Sequence, residues 1–341
     1  MGIEDELQGT IDDMIKPGKG ILAADESLPT IAKRFAPIGV ESTAENRRRY
    51  RSLLATAPGI EQFISGVILF EETLEQNTED GTPIPRHLEN RGIVPGIKVD
   101  QGKTDLPNAP GDLITRGLDG LEERLRKYKS QGARFAKWRE VYPVSASNPT
   151  ALGLEANAEM LARYAAVCQQ EGFVPIVEPE VLIDGDHTLA RCFEVVEAVH
   201  LAVYHALYRH KVIPELTVLK PSMVLPGKAH PTRVTPEEVA EATIKVLRRT
   251  VPAAVPSINF LSGGQSPEEA TANLNAMNAA WPDAPWELSF SYARALQGPV
   301  LEAWQGKAEN ADAARQAFLK RARLNGAARR GEYSPAMEKE S

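Results

Sequence analysis

Eight short apolar runs, most of them separated by helical patterns, constrain this chain more than any other feature. They are residues 19–25 (KGILAAD), 63–70 (FISGVILF), 93–100 (IVPGIKVD), 133–141 (ARFAKWREV), 174–182 (VPIVEPEVL), 216–224 (LTVLKPSMV), 257–263 (SINFLSG) and 286–292 (WELSFSY). Runs with so little polar alternation suit parallel strands covered on both faces. Residues 45–57, 118–130, 155–170 and 188–208 read as helices, the last with Phe193, Val196, Val199 and Val203 at helical spacing. Thr235-Pro-Glu-Glu238 and Ser266-Pro-Glu-Glu269 each place a hydroxyl, a proline and a glutamate where a helix start needs them. Strand and helix alternating eight times predict an α/β fold, the (β/α)8 TIM barrel, with a doubly wound open sheet as the alternative. No Pro/Gly/Ser-rich linker divides the 341 residues, so a single barrel domain over 1–341 is expected. Residues 94–111 read as a long loop after a strand. The polar tail, 329–341, is expected to be mobile and poor in contacts.

Composition removes several classes of function. With 43% apolar and 25% charged residues the chain is globular rather than disordered. Lys and Arg number 39 against 46 Asp and Glu, a formal charge of −7, which argues against a nucleic-acid partner. The two cysteines, Cys168 and Cys192, fall in apolar-periodic segments and predict neither disulfide nor metal site. The acidic opening MGIEDELQGT has no apolar core, Glu6 breaks the myristoylation pattern, and no apolar run approaches the ~20 residues of a membrane span. A cytoplasmic protein with no membrane partner is expected. The G-x-G-x-x-A match at Gly18 precedes a strand, whereas a dinucleotide fingerprint follows one. His200, His205 and His210 are five apart, unlike a metal-binding pair on one helix face, and His87, His187 and His230 fall in loops. No metal and no cofactor is implied.

Charge stands in unusual places within the strands. Asp25 ends the first run, Lys98 and Asp100 lie in the third, Lys137 and Arg139 in the fourth, Glu178 and Glu180 in the fifth, and Lys220 in the sixth. Residues two apart in a strand share a face. Val177 and Leu219 belong to the helix side, so the charges face the barrel interior. Isolated buried charges cost many kcal/mol, and a salt-bridge network that merely fixes the barrel would explain any one of them. Five strands with charge toward their C-terminal halves, where barrels keep their active sites, point to chemistry instead. Leu261-Ser-Gly-Gly264 and Ser-Tyr-Ala-Arg294 end the seventh and eighth runs, where barrel phosphate sites form, and Ser27, Lys33 and Arg34 offer a second anion-binding patch.

A lysine amine becomes a nucleophile when burial and a second cation lower its pKa, and Lys220 would have Lys98 and Lys137 as neighbours. Glu178 and Asp25 could shuttle protons. An amine, acid/base carboxyls and two phosphate clamps suit a bisphosphorylated carbonyl substrate held as a Schiff base, with carbon–carbon bond cleavage or formation beside the iminium.

GILAADES (20–27), GIKVDQG (96–102), FAKWR (135–139), IVEPE (176–180), LKPSMV (219–224), FLSGGQS (260–266) and FSYARALQ (290–297) resemble, in order, the signature segments of class I fructose-bisphosphate aldolases. The resemblance implies reversible cleavage of fructose 1,6-bisphosphate to dihydroxyacetone phosphate and glyceraldehyde 3-phosphate, in glycolysis and gluconeogenesis, by a homotetramer. It implies Lys220 as the Schiff-base lysine, Glu178 as acid/base for the carbinolamine, Asp25 in proton transfer at the C4 hydroxyl, and Lys137 as a charge-stabilising partner of both. Lys98 would line the pocket. Ser262, Gly263 and Arg294 match the C1-phosphate site, and Ser27, Lys33, Arg34 and Arg139 the C6-phosphate side. Arg47 matches a substrate-contacting position, for which the residues themselves give no reason. Two departures stand out. Ala293 replaces the glycine of the family's SYGR, and the chain ends in MEKES rather than in the C-terminal tyrosine of animal members. Another Schiff-base or transaldolase-like enzyme acting on a different phosphosugar, or a non-catalytic barrel scaffold, are the alternatives.

Overall fold

The computed structural model describes residues 2–340. Its barrel strands are β1 (Gly20–Ala24), β2 (Ile64–Leu69), β3 (Val94–Lys98), β4 (Phe135–Tyr142), β5 (Val174–Val181), β6 (Val218–Leu219), β7 (Ser257–Phe260) and β8 (Glu287–Tyr292). Each falls inside or at the edge of one of the eight apolar runs. Neighbours pair in parallel and the ring closes from β8 onto β1, so the open-sheet alternative is excluded and the barrel stands. β6 is shorter than its run suggests. Pro221 follows Lys220 and has no N–H to continue the ladder after Lys220 N has bonded Val177 O at 2.8 Å.

Two layers of apolar packing hold the barrel. The outer layer fills the space between strands and helices, where Trp138 of β4 packs on Tyr164 with ring centroids 5.6 Å apart. The inner layer closes one end. Helix α1 (Ile3–Met14) drives Leu7, Ile11 and Met14 against Ile21, Ile68, Val94, Phe135, Ile176 and Val218. Phe135 fills this floor only because Gly96 lacks a Cβ, which would overlap the ring. With the floor sealed by hydrocarbon, polar groups inside the barrel can collect only at the other end.

Local signals fix the helices. Thr235 and Ser266 cap helices Pro236–Thr250 and Pro267–Ala280, and both capping boxes close: Thr235 N donates to Glu238 at 2.7 Å and Ser266 N to Glu269 at 2.9 Å. Both cysteines are buried and unbridged. Among the described residues no helix is long and apolar enough to cross a membrane.

Four local readings change. The loop read over 94–111 carries part of an antiparallel hairpin, Lys103–Asp105 with Leu113–Thr115. His87 lies in helix Ile84–Asn90 rather than in a loop. The outer face of the strands is not wholly apolar, because the carboxyl of Glu140 is fully buried there. The tail 329–341, read from its polarity as mobile and contact-poor, docks by charge through its described residues. The Glu338 carboxylate takes two bonds from Arg321 Nη1, at 2.6 and 2.7 Å, and one from Tyr333 Oη at 3.0 Å. Arg329 is buried against Glu287 at 2.8 Å. These polar residues are fixed by partners far away in sequence, the buried Arg321 among them, which hydropathy cannot register. Ser341 lies outside the described residues.

Candidate active site

Opposite the apolar floor, the barrel opens into a cavity of about 860 Å³. Strand alternation supplies its walls. Lys137 and Arg139 on β4 and Glu178 and Glu180 on β5 point in, while Trp138 and Val177 point out to the helices. Lys220 enters from the end of β6 and Asp25 from the end of β1.

These groups interleave by sign. Lys137 Nζ lies 2.7 Å from Asp25 Oδ2, 3.1 Å from Glu178 Oε2 and 3.9 Å from Asp100 Oδ2. Lys220 Nζ lies 3.2 Å from Glu178 Oε1, so one carboxylate bridges two amines. Lys98 bonds the Asp100 carboxylate at 2.7 Å. The Lys137, Lys220 and Glu178 side chains are each 4% exposed, and a charge so buried survives only with its partners in place. Burial alone would raise the Asp25 pKa, but Lys137, with Lys220 and Lys98 behind it, outweighs burial and holds it well below the usual carboxylate range. Burial disfavours the Lys137 ammonium too, yet Asp25, Glu178 and Asp100 together raise its pKa well above the ordinary lysine value.

Anion-binding groups flank this core. On one side lie Ser262, Gly263 and Arg294. Gly263 (φ 54°) and Gly264 (φ 91°) hold left-handed conformations that L side chains rarely take. Arg294 opens helix Arg294–Trp304, packs beside Gly264 and forms no ion pair among the described residues. Ala293 has φ −103°, so the residue that replaces the glycine of SYGR needs no left-handed backbone.

On the other side lie Ser27, Lys33, Arg34 and Arg139. They are not equally free. Arg34 is paired with Glu26, which also binds Arg51 at 2.8 Å and Gln297 at 2.7 Å. Arg139 is paired with Glu180 through Nε, and Lys33 forms no ion pair among the described residues. Arg47 does not join the site. It does not line the cavity, and its guanidinium is committed to Glu72 at 2.5 and 2.7 Å.

Sequence reasoning missed several lining residues: Glu26, Gln101, Lys103, Thr115 and Arg124; Asp100 was read as a strand charge but given no role. Arg124 reaches the site from a helix to bond Val99 O at 2.8 Å. Lys103 and Thr115 arrive on the hairpin, whose residues carry no strand-length periodicity. Only the doubled charge of the strand runs could have flagged Asp100.

Nine Lys or Arg and six Asp or Glu side chains line the cavity, an excess of three positive charges in a chain whose formal charge is −7. Such a pocket attracts small anions that the rest of the surface repels.

Comparison with known proteins agrees with this geometry. The family model described as class-I fructose-bisphosphate aldolase matches residues 6–341. Human fructose-bisphosphate aldolase C is 55% identical over 334 residues, covering 98% of this chain and 92% of its own length. The non-muscle fructose-bisphosphate aldolase of Lethenteron camtschaticum is 54% identical over 332 residues, covering 97% and 91%. A solved structure of Plasmodium falciparum fructose-bisphosphate aldolase, in complex with TRAP and a small-molecule inhibitor, superposes with a TM-score of 0.96 at 49% identity, covering 97% of this chain and 96% of that one. On barrel, charge pattern and likeness over nearly its whole length, the chain belongs to the class-I fructose-bisphosphate aldolase family.

Proposed function

We propose that this chain reversibly cleaves fructose 1,6-bisphosphate through a Schiff base on Lys220, a lyase reaction of glycolysis and gluconeogenesis. The observation that carries the reading is the buried Lys220–Glu178 contact at 3.2 Å inside a cavity of net positive charge.

The steps follow from the contacts. Glu178 takes a proton from the Lys220 ammonium, the freed Nζ attacks the ketose C2, and a second proton passes from the nitrogen to the carbonyl oxygen to give a carbinolamine. Glu178, within proton-transfer distance, protonates the departing hydroxyl, and water leaves an iminium. Asp25, held ionised by Lys137, accepts the C4 hydroxyl proton. The C3–C4 bonding pair then flows into the iminium, releasing glyceraldehyde 3-phosphate and leaving an enamine on Lys220. Lys137 offsets the charge shared by Asp25 and Glu178 as protons move. Protonation at C3 and hydrolysis return dihydroxyacetone phosphate and the free amine. Glu178, reprotonated through solvent as Asp25 gives up the C4 hydroxyl proton, delivers the C3 proton from its place between Lys220 and Lys137.

Arg294, Ser262 and Gly263 hold the C1 phosphate; Ser27, Lys33, Arg34 and Arg139 hold the C6 phosphate. Lys98 fixes Asp100 at the edge of the lysine–carboxylate core. The family likeness also supports a homotetramer and a cytoplasmic location. An assay with fructose 1,6-bisphosphate tests the reading. Cleavage is expected to survive EDTA, because the amine rather than a metal withdraws the electrons, and to vanish in Lys220→Met. Loss with EDTA, or full activity in Lys220→Met, would overturn it.

A further inference from the structure

The cavity has a wall that the mechanism leaves unused. Lys103, on the first strand of the hairpin, lines the cavity and forms no ion pair among the described residues. Its charged neighbours are Arg139, Glu180 and Asp184. Glu180 is already bonded to Arg139 through that residue's Nε. Burial first, and the Arg139 guanidinium second, hold the Lys103 amine below its ordinary pKa. Two cations are therefore held near each other at the mouth, which favours an anion between them.

The backbone under Lys103 is pinned rather than loose. Lys103 pairs across the hairpin with Thr115. Thr115 N donates to Glu140 Oε2 at 3.1 Å, and Thr115 Oγ1 donates to Arg139 O at 2.8 Å. Glu140 is itself locked by Trp138 Nε1 at 2.7 Å. Gln101 N to Arg116 O and Arg116 N to Gly102 O, both 2.8 Å, extend the attachment. The hairpin is thus tied to β4 at the residue that projects Arg139. A buried carboxyl on the outer face of the strand sets where the Lys103 amine stands on the inner side.

We propose that Lys103 is a further binding residue for the phosphate distal to C2, sharing it with Arg139, and that it biases the enzyme toward bisphosphorylated over monophosphorylated ketoses. The proposal rests on the reaction described above. A lysine suits the role, since its ammonium is a point charge on a flexible stem that can follow a moving phosphate.

The test compares Lys103→Gln and Lys103→Arg with the unmodified protein on fructose 1,6-bisphosphate and fructose 1-phosphate. Lys103→Gln is expected to lower the bisphosphate-to-monophosphate ratio of kcat/KM by about tenfold, through KM for the bisphosphate, as loss of one charge-assisted contact implies. Lys103→Arg should restore most of the ratio. An unchanged ratio in Lys103→Gln would overturn the proposal, as would equal losses on both substrates. The unmodified protein is first trapped with borohydride and dihydroxyacetone phosphate. Absence of trapping there refutes the reaction itself, whereas trapping with an unchanged ratio refutes only the role of Lys103.

Discussion

Glu140 shows what a single buried residue can do here. It is surrounded by β4 and the hairpin, with Trp138 and Thr115 as donors and Asp100 as a like charge acting on it. Burial outweighs the two donors and, with Asp100 adding to it, pushes the carboxyl up to about 8 from 4.5. The folded protein therefore binds a proton here that the unfolded chain has lost, and stability falls as pH rises from about 5 to 8. Each pKa unit corresponds to about 1.4 kcal/mol. Glu140→Gln should remove this slope, so calorimetric melting temperatures at pH 5 and pH 8 should converge in the variant. Equal slopes in variant and unmodified protein would refute the assignment. The inward-facing charges were legible in the sequence because Lys137 and Arg139, or Glu178 and Glu180, recur at the strand period. Glu140 breaks that period, and nothing in the run distinguishes a carboxyl with two hydrogen-bond donors behind it from one that would be fatal to the strand. Arg47 was named by resemblance alone, and the structure pairs its guanidinium with Glu72 away from the cavity.

At the scale of elements, strands and capped helices were readable because their signals are local. An apolar run sits between turn residues, and a hydroxyl, a proline and a glutamate stand in order. The hairpin and the tail were not, because both are fixed by partners far away in sequence. The tail carries a definite consequence. Arg321 is buried, and besides Glu338 it bonds Pro267 O at 2.8 Å and Thr271 Oγ1 at 2.5 Å, at the start of the helix behind the Ser-Gly-Gly turn. Deleting residues 334–341 removes Glu338 and leaves the buried guanidinium only the more distant Glu268 carboxylate, at 4.0 Å. The partly exposed carboxylate moderates the loss, which should be about 2 kcal/mol. A denaturation midpoint that falls in the truncated protein, with a smaller fall in Glu338→Gln, would bear this out. An unchanged midpoint would show that the docked tail contributes nothing.

At the scale of the whole molecule, the barrel divides by polarity. Hydrocarbon from α1 and Phe135 seals one end, so the interleaved lysines and carboxylates occupy the other, with uncommitted cations around them. The fold was legible as eight repeats of one unit, and the lysine–carboxylate cluster as charge where a parallel strand should have none. The balance of the rim was not legible. Whether Arg34, Lys33 or Lys103 is free to meet a phosphate depends on which carboxylate each one finds after folding. The central claim is that one amine, Lys220, forms the covalent link. Borohydride reduction with dihydroxyacetone phosphate, followed by peptide mapping, measures it directly. The account predicts a single label on the LKPSMV segment at Lys220, with activity lost in proportion; a label on Lys98 or Lys137 instead, or no label at all, would contradict it.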